Sequence, residues 1–454
     1  MPDIRPGGLR VDGTGAFRYK RGHTVALQPE SVKHVARRGL EIIMTKIWIL
    51  IVLVVCMAVR MNAFGADPEA VDGDRPEDQD AINLGLSLRG DYTDNRDATE
   101  TDTETDKEST FDFYVTPRID VFLDSERTTL NFFYEPSLRY RENPIDIQND
   151  VELLHDLGLN LKMDASERTH LRLLEKLDFQ DDPSIEEGGS TVRDNRSYIL
   201  NRVELGLRQD INPLTHADVL ARNTLKRYDD DDVADESDED RNQAELLLWR
   251  QVTRSLAVHG MGGISLYSYE SALGIDRDFD VMMGSAGAEM VFSPQVRGGL
   301  DVGAQSVSYS DDTLDSEVFP YALADITLAP QPAFRIHGSL GHGVRDADVY
   351  PFASQEYTEF RGGVEVDTSA IVTVGVDGTY RVSTYSEDTL PAGAPLPAKD
   401  SDGDETTTVV TGHVAWKLKE TAQLRLRQMY EDISSDVAES FQKNTSSVEL
   451  HLDF

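Results

Sequence analysis

Cysteine is nearly absent from the 454 residues: Cys56 stands alone, and only three tryptophans accompany it. One thiol excludes a disulfide framework and any multi-cysteine metal site. Cations are scarce as well, with 44 Lys and Arg against 82 Asp and Glu and a formal charge of −38. Nucleic-acid binding depends on cationic patches that neutralise phosphates, so no nucleic-acid partner is expected. Long apolar runs are also missing. No stretch reaches the roughly 20 apolar residues of a spanning helix; 39% of residues are hydrophobic, and mean hydropathy is −0.41. Transmembrane strands escape that measure, because alternate residues face water and dilute the apolar signal. The chain holds no G-x-S-x-G, no H-E-x-x-H, no phosphate loop and no Cys–His pair. No catalytic residue, cofactor or enzymatic activity is therefore expected.

The one strongly apolar stretch is Ile47 to Val59, behind Lys46 and ahead of Asn62-Ala63-Phe64-Gly65. A positive start, a short apolar core and small residues at a cut site make a secretory signal peptide, too short to span a bilayer. The leader is read as residues 44–65, with translation starting at Met44. Residues 1–43, basic and Gly-rich, are then a start-site artefact or a disordered extension. Cys56 falls inside the leader. Residues 66–79 form an acidic periplasmic linker, and 80–454 the folded part.

From Asp80 onward the chain alternates. In Ile82 to Arg89 the even-numbered residues are apolar. Phe111, Phe113, Val115, Ile119, Val121 and Leu123 then share one face, opposite Asp112, Thr116, Arg118 and Asp120. Leu130, Phe132, Tyr134, Leu138 and Tyr140 do the same against Asn131, Glu135, Ser137 and Arg139. Period two is the mark of a strand with one apolar and one wet side. About eighteen such segments follow one another, the first near 81–92 and the last near 441–454. Two match poorly. Residues 241–253 contain Leu246-Leu247-Leu248-Trp249, and 167–180 put Glu175 on the apolar face unless a bulge intervenes.

Connections alternate in length. Short ones fall at Asp124-Ser125-Glu126, Asp164-Ala165-Ser166, Asn212-Pro213-Leu214, Thr253-Arg254, Ser293-Pro294, Pro330-Gln331, Thr368-Ser369 and Lys419-Glu420. Those between them are longer and mostly acidic. Short turns on one rim and long loops on the other predict an all-β, transmembrane, antiparallel up-and-down barrel of about 18 strands with both termini periplasmic. The last strand closes on Leu450-His451-Leu452-Asp453-Phe454. Alternation ending in a C-terminal phenylalanine resembles the signal read by the barrel-assembly machinery, which makes Phe454 the assembly residue and that machinery a partner, beside outer-membrane lipid.

The opening NLGLSLRGDYTDN, the hairpins DVFLDSERTTLNFFYEPSLRY and NLKMDASERTHLRLLEKLDF, and the terminal LHLDF together resemble the "putative β-barrel porin 2" family of Gram-negative outer-membrane proteins. The resemblance covers most of residues 80–454. It implies residence in the bacterial outer membrane and a role in polysaccharide, specifically exopolysaccharide, or small-solute passage.

The wet face carries Arg118, Arg139, Arg202, Arg222, Arg335, Arg425 and Arg427, with Asp120, Glu135, Glu204, Asp301 and Glu449 among them. Rings of Arg would favour anionic solutes. Pairing across strands would cancel them instead. His337, His413 and His451 are expected on the lumen face as polar filler. Asp400, Asp402 and Asp404, alternating around Gly403, are a candidate Ca²⁺ site of oxygen ligands, though the rest of an EF-hand loop is lacking. A porin-like channel is the function these features imply. The alternative is a non-conducting structural barrel displaying acidic loops.

Overall fold

The computed structural model describes residues 81–96, 108–142, 150–180, 184–185, 191–192, 197–230, 233–234, 237–269, 275–395 and 399–454. The upstream stretch, the leader and the linker expected before residue 80 lie outside the described residues.

Eighteen long strands form one sheet. They are β1 Ile82–Thr93, β2 Thr110–Ser125, β3 Thr128–Arg141, β4 Val151–Ser166, β5 Thr169–Gln180 and β6 Tyr198–Asn212. Next come β7 Thr215–Tyr228, β8 Glu239–Gln251, β9 Leu256–Tyr269, β10 Phe279–Ser293, β11 Val296–Tyr309 and β12 Glu317–Gln331. The last six are β13 Phe334–Asp346, β14 Ser354–Ser369, β15 Val372–Tyr385, β16 Gly403–Lys419, β17 Ala422–Ser435 and β18 Phe441–Asp453. Each pairs antiparallel with the next, and β1 pairs with β18 from Gly85↔Asp453 to Thr93↔Thr445. That last ladder closes the barrel and leaves no sheet edge, as a hydrocarbon surrounding requires.

Alternation decides which side faces out. Leu84, Ile119, Leu138, Val219, Leu248, Val302, Val376, Leu426 and Val448 are exposed large apolar side chains, all on the outer face. In water such a surface would aggregate; in lipid it is the apolar band. The Leu246-Leu247-Leu248-Trp249 run obeys the same rule. Leu246 and Leu248 point outward, while Trp249 points inward and stacks on His216 with ring centroids 4.7 Å apart.

The short turns sit one or two residues later than expected at several corners. Pro294-Gln295, for example, joins β10 to β11, and Ala370-Ile371 joins β14 to β15. The cause is a register shift just before the turn, at Val291/Ser293 and at Asp367/Ser369. A bulge of this kind lengthens one strand by a residue and tightens its twist. No such shift rescues Glu175. The irregularity between β4 and β5 lies at Asp164/Ser166, nearer the turn, so Glu175 stays on the outer face between Leu159 and Val203.

Candidate functional site

The interior is narrowed by its own wall. β13 pairs with β12 only as far as Ala322↔His342, whereas its pairing with β14 continues to Asp346↔Ser354. Beyond His342 the β13–β14 hairpin therefore leaves the wall and leans into the bore. Val344 packs into a buried cluster with Tyr267, Phe279, Val281 and Val307, inner-face residues of β9, β10 and β11. Gln305 of β11 takes the place of the missing strand partner. Its amide accepts from Val344 N–H at 2.8 Å and donates to Val344 O at 3.3 Å. Such pairing is obligatory, since an unsatisfied backbone group in a dry interior costs about as much as a lost hydrogen bond.

Charges complete the latch. Asp346 meets Arg241 of β8 at 3.4 Å, and Tyr309 and Ser354 share a hydrogen bond of 2.7 Å. At the hairpin tip Asp348 bridges Arg345 at 2.9 Å and Arg381 of β15 at 3.1 Å, with the Asp348 and Arg381 side chains each 1% exposed. Phe352 and Val349 pack with Tyr385, Val437 and Ala438. Arg277, from the β9–β10 connection, donates to Phe352 O at 3.0 Å and lies over the rings of Tyr269 and Tyr350. Burial pushes the Arg277 guanidinium below its usual pKa, opposed by the two tyrosines. The tip thus ties the β8–β11 arc to the β15–β18 arc at the extracellular end. The neighbouring loops brace it: Ala353 N–H donates to Thr389 O at 3.0 Å, and Ala392 N–H to the Asp311 carboxylate at 2.7 Å. Hydrogen bonds from Thr313 and Ala392 hold Asp311 below the usual carboxylate range.

Beneath the hairpin lies a cavity of about 270 Å³, lined by Arg241, Gln243, Glu245, Tyr267, Gln305, Tyr321, Arg345, Asp346 and Tyr357. It is a polar pocket with aromatic walls. Its two arginines are already matched by carboxylates.

The arginines expected in the lumen face inward, and most meet acids across the strands. Arg118 pairs with Asp120 at 2.5 Å and with Glu135. Arg139 pairs with Glu152 at 2.5 Å, and Arg222 with Glu204 at 2.8 Å. Arg335 donates to Glu365 at 2.9 Å and meets Asp367 at 3.3 Å. Arg202 lies opposite Lys176 and Thr224. Arg425 and Arg427 differ: both are exposed to the bore on β17, facing Glu449 and Ser447 of β18, and neither makes an ion pair. His337, His413 and His451 face the lumen. His342 is on the outer face, bonded to Thr358 at 3.0 Å and within 3.4 Å of Glu356.

Asp400, Asp402 and Asp404 do not converge. The Asp404 carboxylate accepts from the Thr384 hydroxyl at 2.7 Å, and no group of three metal-ligating side chains occurs among the described residues. Phe454 is 76% exposed, with its N–H on Leu84 O at 2.9 Å. The residues missed from sequence are those of the latch: Gln305, Arg241, Asp346, Asp348, Arg277 and Arg381. One signal was available. Ala347 to Phe352 (ADVYPF) is an apolar connection among acidic ones.

No functionally curated protein matches the chain. Solved structures similar in fold include OccAB4 of Acinetobacter baumannii, at 11% identity over 84% of this chain and 100% of that one, with a TM-score of 0.46. OpdK of Pseudomonas aeruginosa is 10% identical over 82% and 99%, with a TM-score of 0.45. OccK9 (OpdG) of the same organism is 14% identical over 82% and 98%, also at 0.45. The profile of the family described as "Putative beta-barrel porin 2" matches residues 82–454. An eighteen-strand closed barrel with an apolar outer band and that match over its whole length is an outer-membrane porin-type protein, and the chain belongs to the putative beta-barrel porin 2 family.

Proposed function

We propose that the protein passes small hydrophilic solutes across the outer membrane through a bore narrowed by the β13–β14 hairpin, with preference for solutes carrying anionic groups. The supporting observation is the contrast among the lumen arginines. Arg118, Arg139, Arg222 and Arg335 are matched by carboxylates, whereas Arg425 and Arg427 stand exposed and without ion pairs on one strand. Two guanidiniums on successive inward positions, about 7 Å apart along a strand, offer an anionic group a short basic lane. Acidic exopolysaccharide is the extended form of such a solute. Its passage would require the hairpin to swing aside, because the latch closes part of the extracellular end.

The test is the reversal potential in a salt gradient, with protein purified from outer membranes into planar bilayers. R425E/R427E is expected to lower the anion/cation permeability ratio several-fold at 0.1 M salt. An unchanged ratio from an open channel would contradict the anionic preference. A barrel shown to be folded by its gel mobility yet silent would favour the second reading, an anchor for acidic loops. The zero exposure of Phe352 and Tyr385 at the hairpin tip supports that reading.

A further inference from the structure

Among the described residues six histidines point into the lumen, and all six lie in its periplasmic half: His170, His216, His259, His337, His413 and His451. Every one has a carboxylate within 4 Å. Three of them are built in one way. His259 on β9 lies level with Gly287 on β10, which lies level with Asp301 on β11. His337, Gly363 and Asp377 repeat this across β13, β14 and β15. His413, Gly375 and Glu365 repeat it across β16, β15 and β14. The imidazole Nε2 reaches over the glycine to the acid at 2.5 Å, 3.5 Å and 3.9 Å respectively.

The glycine makes each reach possible. A Cβ at Gly287 would overlap both His259 and Asp301; at Gly363 it would overlap His337 and Asp377; at Gly375 it would overlap His413. Gly in a strand weakens the strand and marks a close approach, and here the approaching group is always an imidazole. Filler histidines would not need a bare strand beneath them three times.

Other charges share this inner surface. Around His259 they are Glu289 on β10, Arg297 two inward positions from Asp301 on β11, and Asp325 on β12. Around His337 they are Asp325, Arg335 and, on β14, Arg361 and Glu365. Around His413 they are Asp377 on β15, Asp367 on β14, and Arg425 and Arg427 on β17. Arg335 is engaged by Glu365 and Asp367, and Arg361 by Glu359 at 2.6 Å. Across the pH range in which a free imidazole exchanges its proton, roughly 5 to 8, these arginines stay charged.

We propose that the three His–Gly–carboxylate triplets act as a proton-responsive selectivity ring in the periplasmic half of the lumen, strengthening the preference for anions as the periplasm acidifies. Among the described residues Asp301 and Asp377 have only the imidazole as a cationic partner within 4 Å, whereas Glu365 also holds Arg335. In every triplet a proton gained by the imidazole adds one positive charge beside the acid, so the wall loses three units of net negative charge when all three are protonated. The proposal rests on the channel reading above for its consequence but not for its chemistry, and the two are tested separately.

The experiment compares wild type with H259Q/H337Q/H413Q. The cation/anion permeability ratio in 0.1 M salt should fall several-fold from pH 8 to pH 5 in wild type and by much less in the variant. Raising salt to 1 M, where the screening length is about 3 Å, should flatten the wild-type profile. An equal fall in both proteins would overturn the proposal, because the carboxylates alone would then explain it. If the barrel does not conduct, imidazole NMR of the same folded protein still decides. Three pH-dependent resonances should be lost in the triple variant, and the pH dependence of each should change when its own acid is replaced (D301N, D377N or E365Q). Histidine signals that ignore those replacements would also overturn it.

Discussion

The two halves of the lumen use charge in opposite ways. At the extracellular end Arg345, Arg381, Asp346 and Asp348 are buried under aromatic and aliphatic side chains, and the ion pairs hold a hairpin across the bore. At the periplasmic end the pairs are set across glycines and range from His337 and Asp377, 57% and 49% exposed, to His259 and Asp301, 7% and 17% exposed. A dry pair cannot lose one member without stranding the other, whereas a wet pair can gain or lose a proton and stay folded. Exposure thus separates the latch from the His337 triplet most sharply.

The comparison breaks first at Asp348. D348N removes the carboxylate shared by two buried guanidiniums, and removing one partner of a buried ion pair costs on the order of 3–5 kcal/mol. The hairpin tip should detach, and limited proteolysis should then cut within 347–353 while the barrel stays folded. A protected tip would mean that apolar packing alone holds it. Next comes the triplet floor. G363A forces His337 from Asp377 and should lower barrel stability in urea by about 1–3 kcal/mol, the usual cost of overpacking. Alanine at Gly412, where a Cβ meets nothing within 4 Å, is the control and should cost far less. The smallest effect belongs to the outer face. Glu175 sits among leucines in the apolar band, and E175L should stabilise the barrel by about 1–2 kcal/mol in lipid vesicles. Destabilisation instead would show that Glu175 contacts a polar partner in the membrane.

Period-two patterning made the strand count and both faces legible, because each side chain's fate depends only on its own strand's alternation. Phe111, Phe113 and Val115 against Asp112 and Thr116 needed no knowledge of neighbours. The turns slipped by a residue or two because bulges near 291–293 and 367–369 arise between strands. The hairpin's apolar tip at Ala347 to Phe352 stood out in the sequence, but its lean into the bore was illegible for the same reason. Nothing local to Gly343–Asp346 breaks the strand pattern; Gln305, 39 residues away, supplies the partner that draws Val344 inward. His259 and Asp301 are 42 residues apart, and only cross-strand register puts Gly287 between them. The paired state of Arg118 or Arg222 was open to guesswork, but the exposure of Arg425 and Arg427 was not.

That the latch holds a conducting bore narrow is tested most directly by single-channel conductance of wild type beside D346N/D348N. Steady small openings in wild type and several-fold larger ones in the variant are predicted. Equal conductance from two barrels shown to be folded, or silence from both, would contradict it.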